Sequence, residues 1–218
     1  IEKGLKRSKD SDDIISAGGA LYVKDHDPAL VQKIVEALQE QEWVGAIFTK
    51  AARPGSTQGV IKGTLSFESI HWNHPDRAAD ILVAENWNNN KNIMGYAGTD
   101  FARGVAGHGG SSPYEVHIPL IAYGPSFKTV FESQLPTSNI DIVPTILHIH
   151  HITPPVQMQG RIMYELLQHN TVRPVTPEKE TISVEAKLKP GKYKLTMERT
   201  VLGKHSYINY ISATRVRK

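Results

Sequence analysis

The chain has 218 residues, 39% hydrophobic and 22% charged, which is enough apolar material for a buried core and too much for a disordered chain. It has no cysteine, which excludes disulfides, thiolate metal sites, iron–sulfur clusters and a cysteine nucleophile, so a metal must be held by Asp, Glu or the ten histidines. The 25 basic and 22 acidic residues leave a net charge of +3, much of it at the ends (residues 3–7 and 215–218), which reads as solvated termini and not as a nucleic-acid patch.

Residues 14–23 read as a strand interrupted by Gly18-Gly19. Asp27-Pro28 then opens a helix, because Asp caps free amides and Pro suits the first helical position. Leu30, Val31, Ile34, Val35 and Leu38 recur at three- and four-residue steps and form its buried stripe. A short buried strand is expected at 43–48, a weaker one at 63–70 and a compact one at 81–83. Residues 86–113 are polar and turn-rich, a long loop of functional character. The apolar run 116–123 predicts a strand ending at Gly124-Pro125, with Pro119 pointing to an irregular or edge position. Ser138-Asn139 caps a helix over 140–149, with Pro144 in its first turn, and a shorter helix is expected over 161–167. This βα alternation predicts an α/β sandwich with a largely parallel central sheet flanked by helices. Beyond a linker at 171–177, alternation over 181–188, 193–197 and 207–214, with a Pro190-Gly191 turn, predicts a small β appendage. The domain reading is therefore 1–170 and 171–218.

His108 is the strongest local signal. It sits between Gly107 and Gly109-Gly110, on backbone free to bend and open to approach by a metal or a phosphate. Ser111 and Ser112 after it read as loop or cap residues. His148 and His151 share a helix face, but a position near the negative end of the helix explains them. His71 and His74 read as a hydrogen-bonded loop, and Trp43, Trp72 and Trp87 as packing residues.

Several ordered segments bear a wider resemblance. The stretch from Gly107-His108-Gly109 to Gly124-Pro125 resembles the last metal-ligand loop and following strand of the alkaline phosphatase superfamily, in its type I phosphodiesterase/nucleotide pyrophosphatase branch. Residues 138–147 are similar to that family's next helix. Met158-Gln159-Gly160-Arg161 resembles its Met-Asp-Gly-Arg segment, with Gln159 in place of Asp, and residues 74–83 also fit. The resemblance covers about residues 14–170.

The resemblance implies an alkaline-phosphatase-like metallohydrolase acting on phosphodiester, pyrophosphate or phosphomonoester bonds, with a phosphate-ester substrate, nucleotides included. It implies two divalent ions, zinc first and manganese or another as alternatives, a Ser or Thr nucleophile and an extracytoplasmic location. By this resemblance His108 is a metal ligand. Glu115 is expected to support it, and Asp100 and Asn92 to help form a substrate rim.

The family's nucleophile and its Asp-His-Gly ligands have no counterpart here. Asp25-His26 is followed by Asp27, at a helix start. One His cannot hold a catalytic zinc, which takes about three protein ligands. Together with the Ile1 start and the lack of a signal peptide, this predicts the C-terminal portion of a longer enzyme. The remainder of the catalytic domain is then its partner. No catalytic residue lies in this chain, which is expected to be inactive alone. A sulfatase or phosphonate hydrolase of the same superfamily, and a non-catalytic binding module, are the alternatives.

Overall fold

The computed structural model describes residues 5, 11–98, 101, 108–169, 175–189 and 191–216. They gather into two units, one built from 1–117, 181–197 and 210–218, the other from 118–180 and 198–209.

The first unit starts as a hairpin. Strands β1 (Ile14–Ala17) and β2 (Ala20–Val23) pair antiparallel around Gly18 and Gly19, whose φ of 55° and 82° suit a two-residue turn. A side chain at Gly19 would stand 2.6 Å from the Val83 carbonyl, so the turn also needs glycine for space. Helix α1 (Pro28–Gln39) begins as expected: the Asp27 carboxylate accepts the amides of Ala29 and Leu30 at 2.9 and 3.4 Å. Its predicted stripe, Leu30, Val31, Ile34, Val35 and Leu38, is buried, and the helix packs on β3 (Val44–Thr49), whose six residues are all buried. Strands β4 (Leu65–Ser66) and β5 (Ile81–Glu85) complete a five-stranded sheet of order β1-β2-β5-β3-β4.

Near the C-terminus, β6 (Glu178–Leu188), β7 (Gly191–Leu202) and β8 (His205–Val216) form a second sheet in that order. Alternate residues Tyr193, Leu195 and Met197 of β7 are fully buried, the period of two read in the sequence. The Tyr193 hydroxyl donates to the Gly45 carbonyl at 2.5 Å. The Arg215 guanidinium lies 4.8 Å from the Tyr193 ring and donates to the carbonyls of Gln39 and Val44, both at 2.7 Å.

These connections overturn the expected helix-flanked α/β sandwich with a largely parallel, alkaline-phosphatase-like sheet. Strand outweighs helix, 33% against 19%. In the five-stranded sheet only β3 and β4 run parallel; β1–β2, β2–β5 and β3–β5 are antiparallel. The physical reason lies in the links. Two residues join β1 to β2, β6 to β7 and β7 to β8, whereas a parallel neighbour needs a crossover of a dozen residues or more.

Three local expectations also change. The run 116–123 is no strand. Pro113 sits at the first position of a one-turn helix, α2 (Pro113–Val116), and 117–123 carries no regular structure. Pro119 lacks the amide a sheet ladder needs, and Ile118, Ile121 and Tyr123 stand 61%, 89% and 98% exposed. The helix expected over 161–167 is a single 3-10 turn, Tyr164–Leu166. Residues 63–70 give only β4 and a 3-10 turn, Phe67–Ile70, stopped by His71 in the left-handed region.

In the second unit, α3 (Ile142–Ile149) is entered through a 3-10 turn, Asn139–Asp141, with a capping box between Ser138 and Asp141. Pro144 falls in its first turn, where no amide is missed. No described helix is long and apolar enough to cross a membrane.

Candidate functional site

His108 is exposed, at the start of a tethered segment. After Gly109, at φ +83°, the Gly110 amide donates to Glu115 Oε1 and the Ser112 hydroxyl to Glu115 Oε2, both at 3.1 Å. Gly110 lies so close to this carboxylate that a Cβ there would collide with it. Ser111 is fixed from the other side: the Ile211 amide donates to its carbonyl at 2.9 Å. Trp87 Nε1 donates to the Ile211 carbonyl at 2.7 Å, and the Trp87 ring stands edge-on to Tyr114 and Tyr210. The His108 ring itself has no hydrogen-bond partner among the described residues, so the backbone is held while the imidazole stays open to solvent.

Glu115 thus closes the loop on which His108 stands, and its carboxylate is occupied by two donors. Ser111 and Ser112 are buried and hydrogen-bonded; Ser112 stands at the N-cap position of α2, but its hydroxyl donates to Glu115 and caps no helix amide. The structure also joins two segments read as separate: the Tyr114 hydroxyl donates to Asn89 Oδ1 at 3.0 Å, bringing the polar loop beside α2. Asn92 is exposed. Its side chain accepts the amides of Met94 and Tyr96 at 3.0 and 3.1 Å, closing a tight turn in the manner usual for Asn. Asp100 lies outside the described residues.

The other histidines take local roles. His148 stands edge-on to Tyr164, His151 adopts φ +59° at the helix end, and His74 Nδ1 accepts the Asp76 amide. His26, on left-handed backbone beside left-handed Asp25, has Nδ1 2.8 Å from Asp80 Oδ1, and Asp80 Oδ2 accepts the Val23 amide. Among the described residues no three His, Asp or Glu side chains assemble into a metal-holding group.

A second cluster went unread in the sequence. In the second unit, Arg161 binds Glu165 through two bonds of 2.8 and 2.6 Å and also donates to the Tyr207 hydroxyl and the Pro136 carbonyl, both at 2.9 Å. Its amide donates to fully buried Asp141, whose other carboxylate oxygen accepts the Ser138 amide. Thr145 Oγ1 donates to the Asp141 carbonyl at 2.7 Å and accepts the Met163 amide. Burial raises the Tyr207 hydroxyl above the ordinary tyrosine value, Asp141 adds to the rise and Arg161 opposes it. Burial pulls the Arg161 guanidinium down, but Glu165 and Tyr207 more than restore it, and the result is a rise. Gly160 explains part of the Met-Gln-Gly-Arg motif: a Cβ there would meet the Ile140 peptide and stand 3.0 Å from the Asp141 nitrogen. The cluster is saturated with internal partners and orders the unit; the only sequence signals for it were the Gly-Arg pair and the Ser-x-x-Asp cap.

No protein-family model, curated protein or solved structure matches this chain.

Proposed function

We propose that this chain is the C-terminal portion of a metal-dependent hydrolase of phosphate esters, acting on phosphodiester, pyrophosphate or phosphomonoester bonds. The observation that carries the reading is the His108 loop. An imidazole open to solvent rises from backbone tied down by Glu115 and Ile211, the arrangement a metal ligand requires: a fixed origin and a free ring nitrogen. The loop's likeness to the family's metal-ligand loop supports the same role.

One imidazole is too small a donor set for a catalytic zinc, so the described residues do not by themselves fit a metal centre. No bond-breaking step belongs to them. In this reading the Ser or Thr nucleophile and the other ligands of the two divalent ions come from sequence upstream of this chain. The exposed apolar side chains Ile118, Ile121, Tyr123 and Val130 support a further protein surface against the second unit.

The test is made on the longer parent protein. Wild-type parent is expected to hold divalent metal and to hydrolyse bis(nitrophenyl) phosphate or nitrophenyl phosphate. His108→Ala should lower its metal content and cut turnover by about a hundredfold or more. A parent without metal, or a His108→Ala parent of unchanged activity, refutes the proposal. Preference for nitrophenyl sulfate would move the assignment to a sulfatase, and an intact parent without hydrolysis to a binding module.

A further inference from the structure

Within the second unit an open cleft of about 750 Å³ is lined by the 154–165 segment and by the turn between β7 and β8. That volume falls in the range of small-molecule sites, about 300–1,000 Å³. Pro144, Pro154, Val156, Met158 and Tyr164 give it an apolar lining of flat and soft surfaces. Its charge is one-sided. The acid in the lining, Glu165, is taken up by the two-bond pair with Arg161. Lys204 and His205 remain, side by side in sequence at the β7–β8 turn. Lys204 is exposed and no acid pairs with it among the described residues. His205 Nδ1 lies 3.0 Å from the Gln159 carbonyl, which can only accept, so Nδ1 carries the proton and the ring is held in place.

We propose that this cleft binds a small organic anion, its flat apolar body against Pro144, Val156, Met158 and Tyr164 and its carboxylate or phosphate at Lys204. The apolar lining selects for the body, and the unpaired cation, next to an acid already neutralised, selects for the charge. None of the described residues of the His108 loop lines it.

The four methionines make the test site-resolved. Met158 lines the cleft, Met163 and Met197 are buried elsewhere, and Met94 is exposed in the first unit. The chain with isotope-labelled methionine methyls is titrated by NMR with naphthoate and with uncharged naphthylmethanol, up to about 5 mM, a range that captures weak sites. The Met158 methyl alone is expected to shift and saturate with naphthoate, and the alcohol to bind about fivefold or more weakly. Lys204→Glu should weaken naphthoate by about fivefold to tenfold with the Met163 signal in its native position, and Val156→Asp should abolish the Met158 shift. A Met158 signal that does not move overturns the proposal. So does a Met94 shift equal to that of Met158, an alcohol that binds as well as the acid, or a Lys204→Glu chain that binds naphthoate like wild type.

Discussion

The two units solve the problem of holding a chain together in opposite ways. In the first, the centre is apolar: α1 lays Ile34 and Val35 on β3, where Val44, Ala46 and Ile47 are fully buried. Polar groups buried there form isolated pairs within that core, as Tyr193 on Gly45 and Thr49 on Thr64 do. In the second, the centre is polar: a carboxylate, a guanidinium and a phenol converge from residues 141, 161 and 207, with a hydrogen-bond partner for every buried side-chain group described. Apolar burial is non-directional and tolerates small shifts, whereas a buried ionic cluster is stable only when complete. The first unit should therefore bend under substitution and the second should break.

The sharpest way to break that contrast is Arg161→Leu. It removes a cation with an 11% exposed side chain and leaves Glu165 buried without a counter-charge. Breaking one side of such a pair costs about 3–5 kcal/mol, more than an apolar replacement returns. The expected result is a collapse of the native Met163 methyl signal at a urea concentration where wild type retains it. Trp43, Trp72 and Trp87 all belong to the first unit, so their emission reports on it separately. A variant whose Met163 signal matches wild type would show that the cluster is ornamental.

The same contrast marks what could be read from the residues. Helix α1 was legible because its cap, its proline and its 3.6-residue stripe all lie within twelve neighbouring positions. Strands β6 to β8 were legible by alternation, whereas Gly18-Gly19 read as an interruption in one strand and in fact turn the chain into the β1–β2 hairpin. The cluster was not legible because Arg161 and Tyr207 are 46 residues apart and no local period links them. Residues 116–123 were misread for a related reason. An apolar run has the same composition whether or not a neighbouring strand arrives to pair with it, and here Pro113 and Pro119 decide the backbone first. At the candidate site, the exposure of His108 followed from its glycines. The task of Glu115 did not, because a carboxylate three residues beyond a helix cap satisfies loop donors as readily as it would support a metal ligand.

A smaller effect sets the units side by side at high pH. Tyr193 in the first and Tyr207 in the second are both raised above the ordinary tyrosine value, chiefly by burial, with Arg215 opposing the rise at Tyr193. A raised tyrosine holds its proton more tightly folded than unfolded. Its contribution is whole below the unfolded value near 10 and is lost as pH climbs from there toward the folded value, at about 1.4 kcal/mol per pH unit for each group. Tyr193→Phe should cost about 1 kcal/mol at neutral pH, from the bond to Gly45, and should remove one group from the alkaline limb. Urea midpoints at neutral pH and near pH 11 measure both. An alkaline slope unchanged in Tyr193→Phe and in Tyr207→Phe would mean that neither phenol is as buried as it stands here.

The contrast is tested at its plainest, and at its small end by Asp27→Ala, on two aspartates at helix entries. Asp27 caps α1 with one carboxylate oxygen, which accepts the Ala29 and Leu30 amides, and is itself half-buried. Asp141 bonds back to the Ser138 amide as the third residue of the capping box before α3, and also binds the Arg161 amide and takes the Thr145 hydroxyl on its carbonyl, at zero exposure. Asp27→Ala removes a cap from a helix still anchored by five buried apolar side chains, so it should cost about 1 kcal/mol, the ordinary worth of an N-cap. Asp141→Ala removes the carboxylate half of the capping box and leaves the part-buried Ser138 and Arg161 amides unpaired, each costing about 1–3 kcal/mol, so it should cost at least twice as much. Equal shifts in the urea midpoints of the two variants would erase the distinction, because they would mean that the polar centre of the second unit contributes no more than a surface cap.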